Sequence, residues 1–197
     1  MKYSNGDTYE GVFEYDLRSK QGKMTYKDGS VYEGSWANGL RQGKGKMFYS
    51  HKKSKFEGEW MLGLRHGEGV LTFATGASYS GRWEFDKQNG RGMYTDPSTG
   101  YRYEGEWQNG LKHGKGVEQT TEGRYEGEWK DNMRHGQGRE VLSCETEFEG
   151  RWKENRKHGQ GIKKLKTGRM EEQVWREGKH VDVSSVVVIE LPLIQRR

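Results

Sequence analysis

The sequence predicts an all-β protein, an elongated single-layer antiparallel β-sheet built as a meander of repeated hairpins. An aromatic-x-Gly-x-aromatic motif recurs about every 23 residues along the 197-residue chain, and a fixed period of this length is typical of repeat proteins. The segments around the motif alternate polar and apolar residues as strands do, and no segment keeps a helical period. Pro97 and Pro192 are the only prolines, so the strands are free to pair along their length.

Each repeat is predicted to hold two strands. One is the aromatic motif itself, as in the Tyr-Glu-Gly-Glu-Trp of residues 103–107, and a short polar turn follows it. The other begins near a Gly-x-Gly pair, such as Gly114 and Gly116, and leads to a second turn that carries glycine, such as Asp28-Gly29. Two alternating strands joined by glycine-containing turns are typical of a β-hairpin. The first repeat has Lys20 in place of the first glycine of its pair.

Alternation along the strands predicts two different faces of the sheet. In residues 103–107 the tyrosine, glycine and tryptophan fall on one side and the two glutamates on the other. The glycine between the two aromatic residues leaves room for a ring of a neighbouring strand to lie across the backbone. We therefore expect one aromatic-glycine face and one charged face. At about 4.8 Å per strand and two strands per repeat, we expect an array roughly 70–80 Å long.

The repeat array is predicted to cover residues 1–180, with seven good repeats and a degenerate eighth. In the eighth repeat Glu172 stands where we expect the glycine, and decay of this kind is typical of a capping repeat. Residues 181–197 hold the only strongly apolar run of the chain, around Val186–Ile189. Because a sheet with one apolar face needs a cover or a partner, we interpret this tail as a final strand or cover, or as the stub of a following segment.

The composition excludes several classes of protein. The 34 basic and 29 acidic residues leave a net charge of only +5, which is not the excess expected of a nucleic-acid-binding protein. The single cysteine, Cys144, excludes an internal disulfide and favours a reducing, cytoplasmic location. No amino-terminal signal and no transmembrane segment is recognised in the sequence.

No catalytic, cofactor or metal site is predicted. The Gly-x-Gly pairs recur in every repeat, and no helix or Gly-Lys-Ser/Thr sequence follows them, so they do not form a phosphate-binding loop. Four histidines recur at one repeat position, but neighbouring copies would lie about 10 Å apart, too far to share a metal ion with ligands at about 2 Å. We interpret them as turn residues; they are His66, His113, His135 and His158.

The aromatic face is the first candidate binding surface. Its rings could anchor a helix or strand of a partner, and they could equally serve as the core that packs one repeat on the next. The residues concerned are Tyr32, Trp36, Phe56, Trp60, Tyr79, Trp83, Tyr103, Trp107, Tyr125, Trp129, Phe148 and Trp152.

A row of basic residues is the second candidate. One basic residue precedes the Gly-x-Gly pair in most repeats, and we expect these residues to line one edge of the sheet, where they could bind anionic phospholipid headgroups or acidic protein tails. The alternative is a solvated rim whose charges pair with the glutamates. The residues are Arg41, Arg65, Lys112, Arg134 and Lys157.

The motif Tyr-Glu-Gly-Glu-Trp-x-x-Gly-x-x-x-Gly-x-Gly, seen in residues 103–116, closely resembles the MORN (membrane occupation and recognition nexus) repeat. The resemblance covers residues 1–180. It implies an elongated, twisted antiparallel sheet and a scaffolding role, often at cytoskeletal or ciliary structures. It also implies phospholipid binding for some members and an enzyme domain after the repeats in others.

Three functions follow as hypotheses. The first is a non-catalytic scaffold of a cytoskeletal, ciliary or flagellar (axonemal) assembly, which binds protein partners through the repeat sheet. The second is a peripheral membrane adaptor that binds anionic phospholipids, such as phosphoinositides, through the basic edge. The third is the targeting module of a larger enzyme. The apolar face and the free edges of the sheet also predict a homodimer or an end-to-end assembly.

Overall fold

The computed structural model describes residues 1–181, and within this range it consists of one open sheet of sixteen antiparallel strands without a helix. Strands that are neighbours in the sequence are neighbours in the sheet, which confirms the predicted fold class. The predicted tail lies outside the described residues except for Val181. The strands are β1 (Thr8–Glu14), β2 (Leu17–Thr25), β3 (Val31–Ala37), β4 (Leu40–Tyr49), β5 (Ser54–Met61), β6 (Leu64–Thr72), β7 (Ser78–Glu84), β8 (Lys87–Asp96), β9 (Tyr101–Gln108), β10 (Leu111–Gln119), β11 (Gly123–Lys130), β12 (Met133–Leu142), β13 (Glu147–Lys153), β14 (Arg156–Lys164), β15 (Met170–Arg176) and β16 (Lys179–Val181).

A row of paired glycines crosses the sheet from β1 to β14. Each glycine between the two ends of the row faces one glycine in the strand before it and another in the strand after it, as Gly45 faces Gly34 and Gly58. A Cβ atom added at Gly105 would lie 2.5 Å from the Cα of Gly116, which is closer than packed atoms approach. The row is Gly11, Gly22, Gly34, Gly45, Gly58, Gly69, Gly81, Gly92, Gly105, Gly116, Gly127, Gly138, Gly150 and Gly161.

The register of each of the seven hairpins from β1–β2 to β13–β14 shifts just after the glycine row. The first glycine of each Gly-x-Gly pair lies in this shifted segment with a left-handed backbone, as at Gly43 (φ +71°) and Gly114 (φ +55°). This is the arrangement of a β-bulge, in which glycine adopts a conformation that other residues avoid. Lys20 occupies the same position in the first repeat with φ +55°.

The core of the array is a double row of rings that lie over the glycines. Trp83 makes edge-to-face contacts with Tyr79 of its own strand (5.2 Å between centroids) and with Phe56 of the preceding repeat (5.3 Å). Its indole Nε1 donates a hydrogen bond to the carbonyl of Gly69 (3.2 Å), and the Tyr79 hydroxyl donates one to the Arg82 carbonyl (3.0 Å). The same contacts recur along the array, so the aromatic residues join each repeat to its neighbours.

The eighth repeat departs from this pattern at a residue other than the predicted one. Gly161 pairs with Gln173, and Glu172 pairs with Ile162, so Gln173 holds the glycine-row position. Glu172 was predicted at this position because it is the third residue of the motif when the motif starts at Met170. The observed register instead follows from Trp175, since Gln173 lies two residues before it, as the row glycine does in the other repeats. The Trp175 Nε1 donates to the Gln173 side chain at 3.2 Å, where other tryptophans donate to a glycine carbonyl.

Candidate functional site

The twelve aromatic residues of the first candidate surface lie together in the core. Tyr32, Phe56 and Tyr79 are 0% exposed and Trp83 is 1% exposed, while Trp107 is only partly buried. These rings therefore form the core that packs each repeat against the next. A partner that approaches this face first meets the side chains that surround the rings.

Those side chains include a row of cations, which we call the cation ladder: Arg18, Arg41, Arg65, Lys112, Arg134 and Lys157. Each is the second residue of an even-numbered strand and lies against the tryptophan of the next repeat. The distances from the cation to the ring centroid are 4.6 Å to Trp36, 4.3 Å to Trp60, 4.3 Å to Trp83, 3.9 Å to Trp129, 5.3 Å to Trp152 and 5.3 Å to Trp175, in the same order.

Five members of the cation ladder are the basic residues that the sequence placed at an edge of the sheet. The structure brings them together in one row, and it lays them on the rings of the aromatic face within reach of cation–π attraction. Arg18 is not part of the basic row predicted from the sequence. Its signal was its spacing, because Arg18 precedes Arg41 by one repeat length.

The cation ladder has one gap. Gln88 occupies the ladder position in the fourth repeat, since it pairs with Trp83 as Arg41 pairs with Trp36. The tryptophan that this residue would cover is Trp107, which is only partly buried, whereas Trp60 and Trp83 are buried under arginines. The loss of a cation therefore coincides with a more open indole.

In the C-terminal half of the array the cations of the ladder are paired with two glutamates. Glu118 accepts from Lys112 Nζ (2.7 Å) and Arg134 Nη2 (3.0 Å), and Glu140 accepts from Arg134 Nη1 (2.7 Å) and Lys157 Nζ (3.1 Å). The side chains of all five residues are at most 21% exposed. They form one continuous network of alternating charge.

The network is closed further by Tyr101, whose hydroxyl donates to Glu118 Oε1 at 2.6 Å. Burial by itself would raise the pKa of Glu118, but hydrogen bonds from Lys112, Tyr101 and Arg134 and the charge of Lys112 outweigh it and lower the pKa. The pKa of the Tyr101 hydroxyl is raised by burial and by its bond to Glu118. Glu118 is therefore a buried, ionised carboxylate whose charge is stabilised by hydrogen bonds and ion pairs within the protein.

The N-terminal half has no such network. Arg18 Nη2 donates to the Gly39 carbonyl (2.8 Å) and Arg41 Nη2 to the Gly63 carbonyl (2.6 Å), and neither arginine is paired with a carboxylate within residues 1–181. Arg65 differs because its Nε lies 2.8 Å from the Asp86 carboxylate. Two of the three cations in this half are thus free of an acidic partner in the described chain.

The difference between the halves comes from one position in the repeat, two residues after the Gly-x-Gly pair. This position holds Met24, Met47 and Leu71 in the first three repeats, and all three are buried. In the fifth and sixth repeats it holds Glu118 and Glu140. This change of residue type is visible when the repeats are aligned, but it was not part of the predicted sites.

The N-terminal half encloses a cavity on the aromatic face, which we call the N-terminal groove. It is lined by Arg41, Tyr49, Lys52, Trp60, Arg65 and Phe73 and has a volume of about 750 Å³. Its lining combines two arginines with the rings of Tyr49, Phe73 and Trp60. A site with an apolar floor and a few polar groups at its sides is typical of a surface that binds a ligand or a chain segment.

A second cavity lies on the charged face, around Glu104, Glu126, Arg91 and Lys115, with a volume of about 670 Å³. Its charges are mixed in sign, so it favours no single class of ligand. The repeated histidines do not gather, and within residues 1–181 no three histidine, cysteine or acidic side chains come together as a metal site. In the same range no helix is long and apolar enough to span a bilayer.

Comparison with solved structures finds similar chains at low sequence identity. One is the TCP domain of SAS-4 (dCPAP) from Drosophila melanogaster, solved with a proline-rich motif of Ana2 (dSTIL), with a TM-score of 0.49 and 15% identity over 85% of this chain and 90% of that chain. Another is the TCP10 domain of Danio rerio CPAP, solved with a peptide of STIL, with a TM-score of 0.33 and 15% identity over 92% of this chain and 90% of that chain. A search of curated proteins gave no match.

The comparison with family models is decisive. The model of the MORN repeat matches seven times, at residues 9–31, 32–50, 56–78, 79–101, 103–123, 125–143 and 148–168. Each of these matches begins at the aromatic residue that lies over the glycine row, and together they cover most of the sheet. The chain belongs to the MORN repeat family.

Proposed function

We propose that this protein is a non-catalytic scaffold that binds a segment of a protein partner in the N-terminal groove. The observation that carries the proposal is the contrast between the two halves of the aromatic face. In the C-terminal half the network around Glu118 and Glu140 satisfies the cations internally. In the N-terminal half the groove keeps an apolar floor and cationic side chains available to a partner.

The setting proposed for this scaffold is a cytoskeletal or ciliary assembly in the cytoplasm. The family resemblance implies such a setting, and the architecture suits it. Because every repeat is joined to the next by ring contacts and by an indole hydrogen bond, the array holds a binding site at a fixed place on a long, regular support. No residue is assigned to catalysis, and the cavities are lined mainly by core rings, glycine backbone and charged side chains.

A peripheral membrane adaptor is the less favoured function. Binding to an anionic bilayer requires cations that reach the surface together, at about 1 kcal/mol for each one engaged. Lys112, Arg134 and Lys157 lie on rings and are shared between two glutamates. Their charge would become available to lipid only if the buried network were broken.

The proposal is tested with Phe73 and Phe48, two phenylalanines of similar exposure. Phe73 lies in the N-terminal groove and is 37% exposed, whereas Phe48 is 45% exposed and follows the buried Met47, so it points to the charged face. The full chain and its Phe73→Ser and Phe48→Ser variants are cross-linked in the cells that make it. The partner so identified is then purified, and its affinity for each variant is measured by titration.

We expect Phe73→Ser to weaken binding of the purified partner at least about tenfold, the loss expected when an apolar contact near the centre of an interface is removed. Phe48→Ser should leave the affinity unchanged, and cross-links should fall on Lys52 in the groove. Equal affinity for both variants would overturn the proposed site. Release of the protein with the membrane lipids on detergent extraction, with no protein cross-linked, would overturn the scaffold.

A further inference from the structure

We infer that the segment bound in the N-terminal groove is acidic, and that its carboxylates bind Arg41 of the groove and Arg18, which lies outside the groove lining, one repeat earlier on the cation ladder. This inference rests on the proposed function and adds the chemistry of the partner. It concerns two residues of the cation ladder, of which Arg18 has no place in the predicted basic edge. It also excludes Lys112, Arg134 and Lys157, the ladder members that the sequence grouped with Arg41.

The first step is the unused hydrogen-bonding capacity of these arginines. A guanidinium carries five N–H donors in one plane. Arg41 uses one Nη2 donor for the Gly63 carbonyl, and its Nη1 lies 3.9 Å from the Met47 sulfur. Arg18 uses one for the Gly39 carbonyl. The remaining donors have no carboxylate within the described chain, and a guanidinium can bind a carboxylate with two parallel hydrogen bonds.

The second step is the charge of the groove. Arg41, Lys52 and Arg65 contribute positive charge to its lining, and within residues 1–181 Asp86 is the one carboxylate that lines it. Asp86 is already bound by Arg65 at 2.8 Å. The groove therefore presents an excess of positive charge beside an apolar floor, and the complementary partner carries carboxylates next to apolar or aromatic side chains.

The third step is an internal comparison. The C-terminal half shows how this fold satisfies a ladder cation, because each of Lys112, Arg134 and Lys157 lies on a ring and binds a glutamate at the same time. In the N-terminal half Met24 and Met47 stand at the positions of those glutamates. The carboxylates that the protein supplies to itself in one half are the groups that a partner would supply in the other.

The spacing of the arginines adds a constraint on the partner. Arg18 and Arg41 are one repeat apart, which is two strands or about 10 Å. An extended chain advances about 3.3 Å per residue, so its carboxylates would lie about three residues apart. This pattern is short enough to occur in one continuous segment.

The inference is tested by binding of a fluorescent random copolymer of glutamate and tyrosine to the full chain, with polylysine as the negative probe. Arg41→Gln is the main variant, because Gln88 shows that the fold accepts glutamine at a ladder position. We expect it to weaken binding about tenfold, and Arg18→Gln combined with it to weaken binding further. Arg41→Lys should retain part of the affinity because it keeps the charge, and Lys112 shows that the fold accepts lysine at a ladder position.

The matched control is Lys46→Gln, which removes the same charge from the opposite face, where Lys46 is 69% exposed and pairs with Glu57. It should leave the affinity for the copolymer unchanged. Equal weakening by Lys46→Gln and Arg41→Gln would overturn the inference, because it would show attraction to overall charge alone. Vesicles with phosphatidylinositol bisphosphate that bind in place of the copolymer would overturn it in favour of a membrane.

The failure of this inference is separable from the failure of the proposed function. If the purified partner still depends on Phe73 but is unaffected by Arg41→Gln, the groove binds protein and the acidic chemistry is wrong. If the partner is unaffected by either substitution, the groove itself is not the binding site. A partner weakened by both Phe73→Ser and Arg41→Gln supports both.

Discussion

Lys20 is the residue that most clearly departs from its repeat. It adopts φ +55° at the bulge position where Gly43, Gly67 and Gly114 stand in other repeats. A side chain in this left-handed conformation costs roughly 1–2 kcal/mol. Replacing it with glycine removes this strain, but it also stabilises the unfolded chain by about 0.5–1 kcal/mol, because glycine has more conformational entropy there. We therefore expect Lys20→Gly to raise the free energy of unfolding by about 0.5–1 kcal/mol in denaturant titrations.

The control for this prediction is Gly43→Lys, the reverse change one repeat later. A Cβ at Gly43 meets nothing closer than 3.5 Å, so the substitution tests backbone strain and not crowding. It should lower the free energy of unfolding by a similar amount. The Lys20–Glu14 ion pair lies at the surface, so it contributes little to the free energy of unfolding. A loss of stability in Lys20→Gly would show that this pair outweighs the strain.

At the residue scale the sequence predicted why glycine stands between the aromatic residues, but not which ring uses the space. The expectation was a ring from a neighbouring strand. In the structure the Tyr103 hydroxyl lies over Gly105 of its own strand and over Gly116 of the next. Alternation assigns a side chain to a face, whereas the direction in which a ring leans along that face depends on its packing against Trp107 and Trp129.

Along the cation ladder, the residue at the ladder position of each repeat affects how deeply the tryptophan of the next repeat is buried. Gln88 leaves Trp107 without a cation, and its side-chain oxygen lies near Gly110. An arginine there would reach the Gly110 carbonyl as Arg41 reaches that of Gly63. We expect Gln88→Arg to raise the free energy of unfolding by about 0.5–1 kcal/mol, the usual value of a cation–π contact at a partly exposed site. Thermal and denaturant unfolding would measure the change.

The matched control is Arg65→Gln, which opens a second gap one repeat earlier. It should lower stability by more than Gln88→Arg raises it, because the bond from Arg65 to Asp86 at 2.8 Å is lost as well. Indole fluorescence would report the expected change in exposure of Trp83 or Trp107. An unchanged stability in both variants would mean that the tryptophans alone hold the repeats together.

The ladder also shows how much of the candidate site could be predicted from sequence. The repeat spacing predicted five cations in one row at an edge of the sheet, whereas in the structure they lie on the rings of the aromatic face. The repeat spacing could not predict the contact between Glu118 and Arg134, because these residues are sixteen positions apart in the sequence and meet across β10, β11 and β12. Register and side-chain reach decide such a contact. The division of the aromatic face into an open half and a self-paired half therefore needed the structure.

On the scale of the whole molecule, the fold follows from the repeat alone. Each hairpin can pair only with its neighbours in the sequence, so the order of sixteen strands contains no crossover. The same logic distributes stability along the array, since each indole hydrogen bond joins one repeat to the one before it. The degenerate eighth repeat was harder to predict, because its register depends on Trp175 after Gln173 has replaced the glycine.

A property of the whole array follows from its buried tyrosines. Burial raises the pKa of Tyr32, Tyr79, Tyr103, Tyr125 and Tyr101 above the ordinary value of 10.0. Below pH 10 both the folded and the unfolded chain keep these protons, and the stability is fully present. Above pH 10 the unfolded chain loses protons that the folded chain keeps, so stability falls by about 1.4 kcal/mol per pH unit for each tyrosine.

For five such tyrosines the combined loss of stability exceeds the total free energy of unfolding of a typical domain within about one to two pH units. We therefore expect the array to unfold between about pH 10 and pH 12, with the phenolate absorbance of these tyrosines appearing together with the loss of the sheet signal in circular dichroism. Gradual ionisation of the five while the sheet remains folded would contradict the prediction. It would mean that the rings are hydrated in solution.

Tyr79→Phe separates the titration from packing, because Phe56 and Phe148 already occupy the same position in other repeats. It removes one tyrosine whose pKa is raised, so the fall of stability above pH 10 should become shallower by the share of that one group, about 1.4 kcal/mol per pH unit. Tyr15→Phe is the control, since Tyr15 is 99% exposed in a turn, and it should leave the alkaline transition in place. If both variants shift the transition equally, the buried tyrosines do not cause the unfolding.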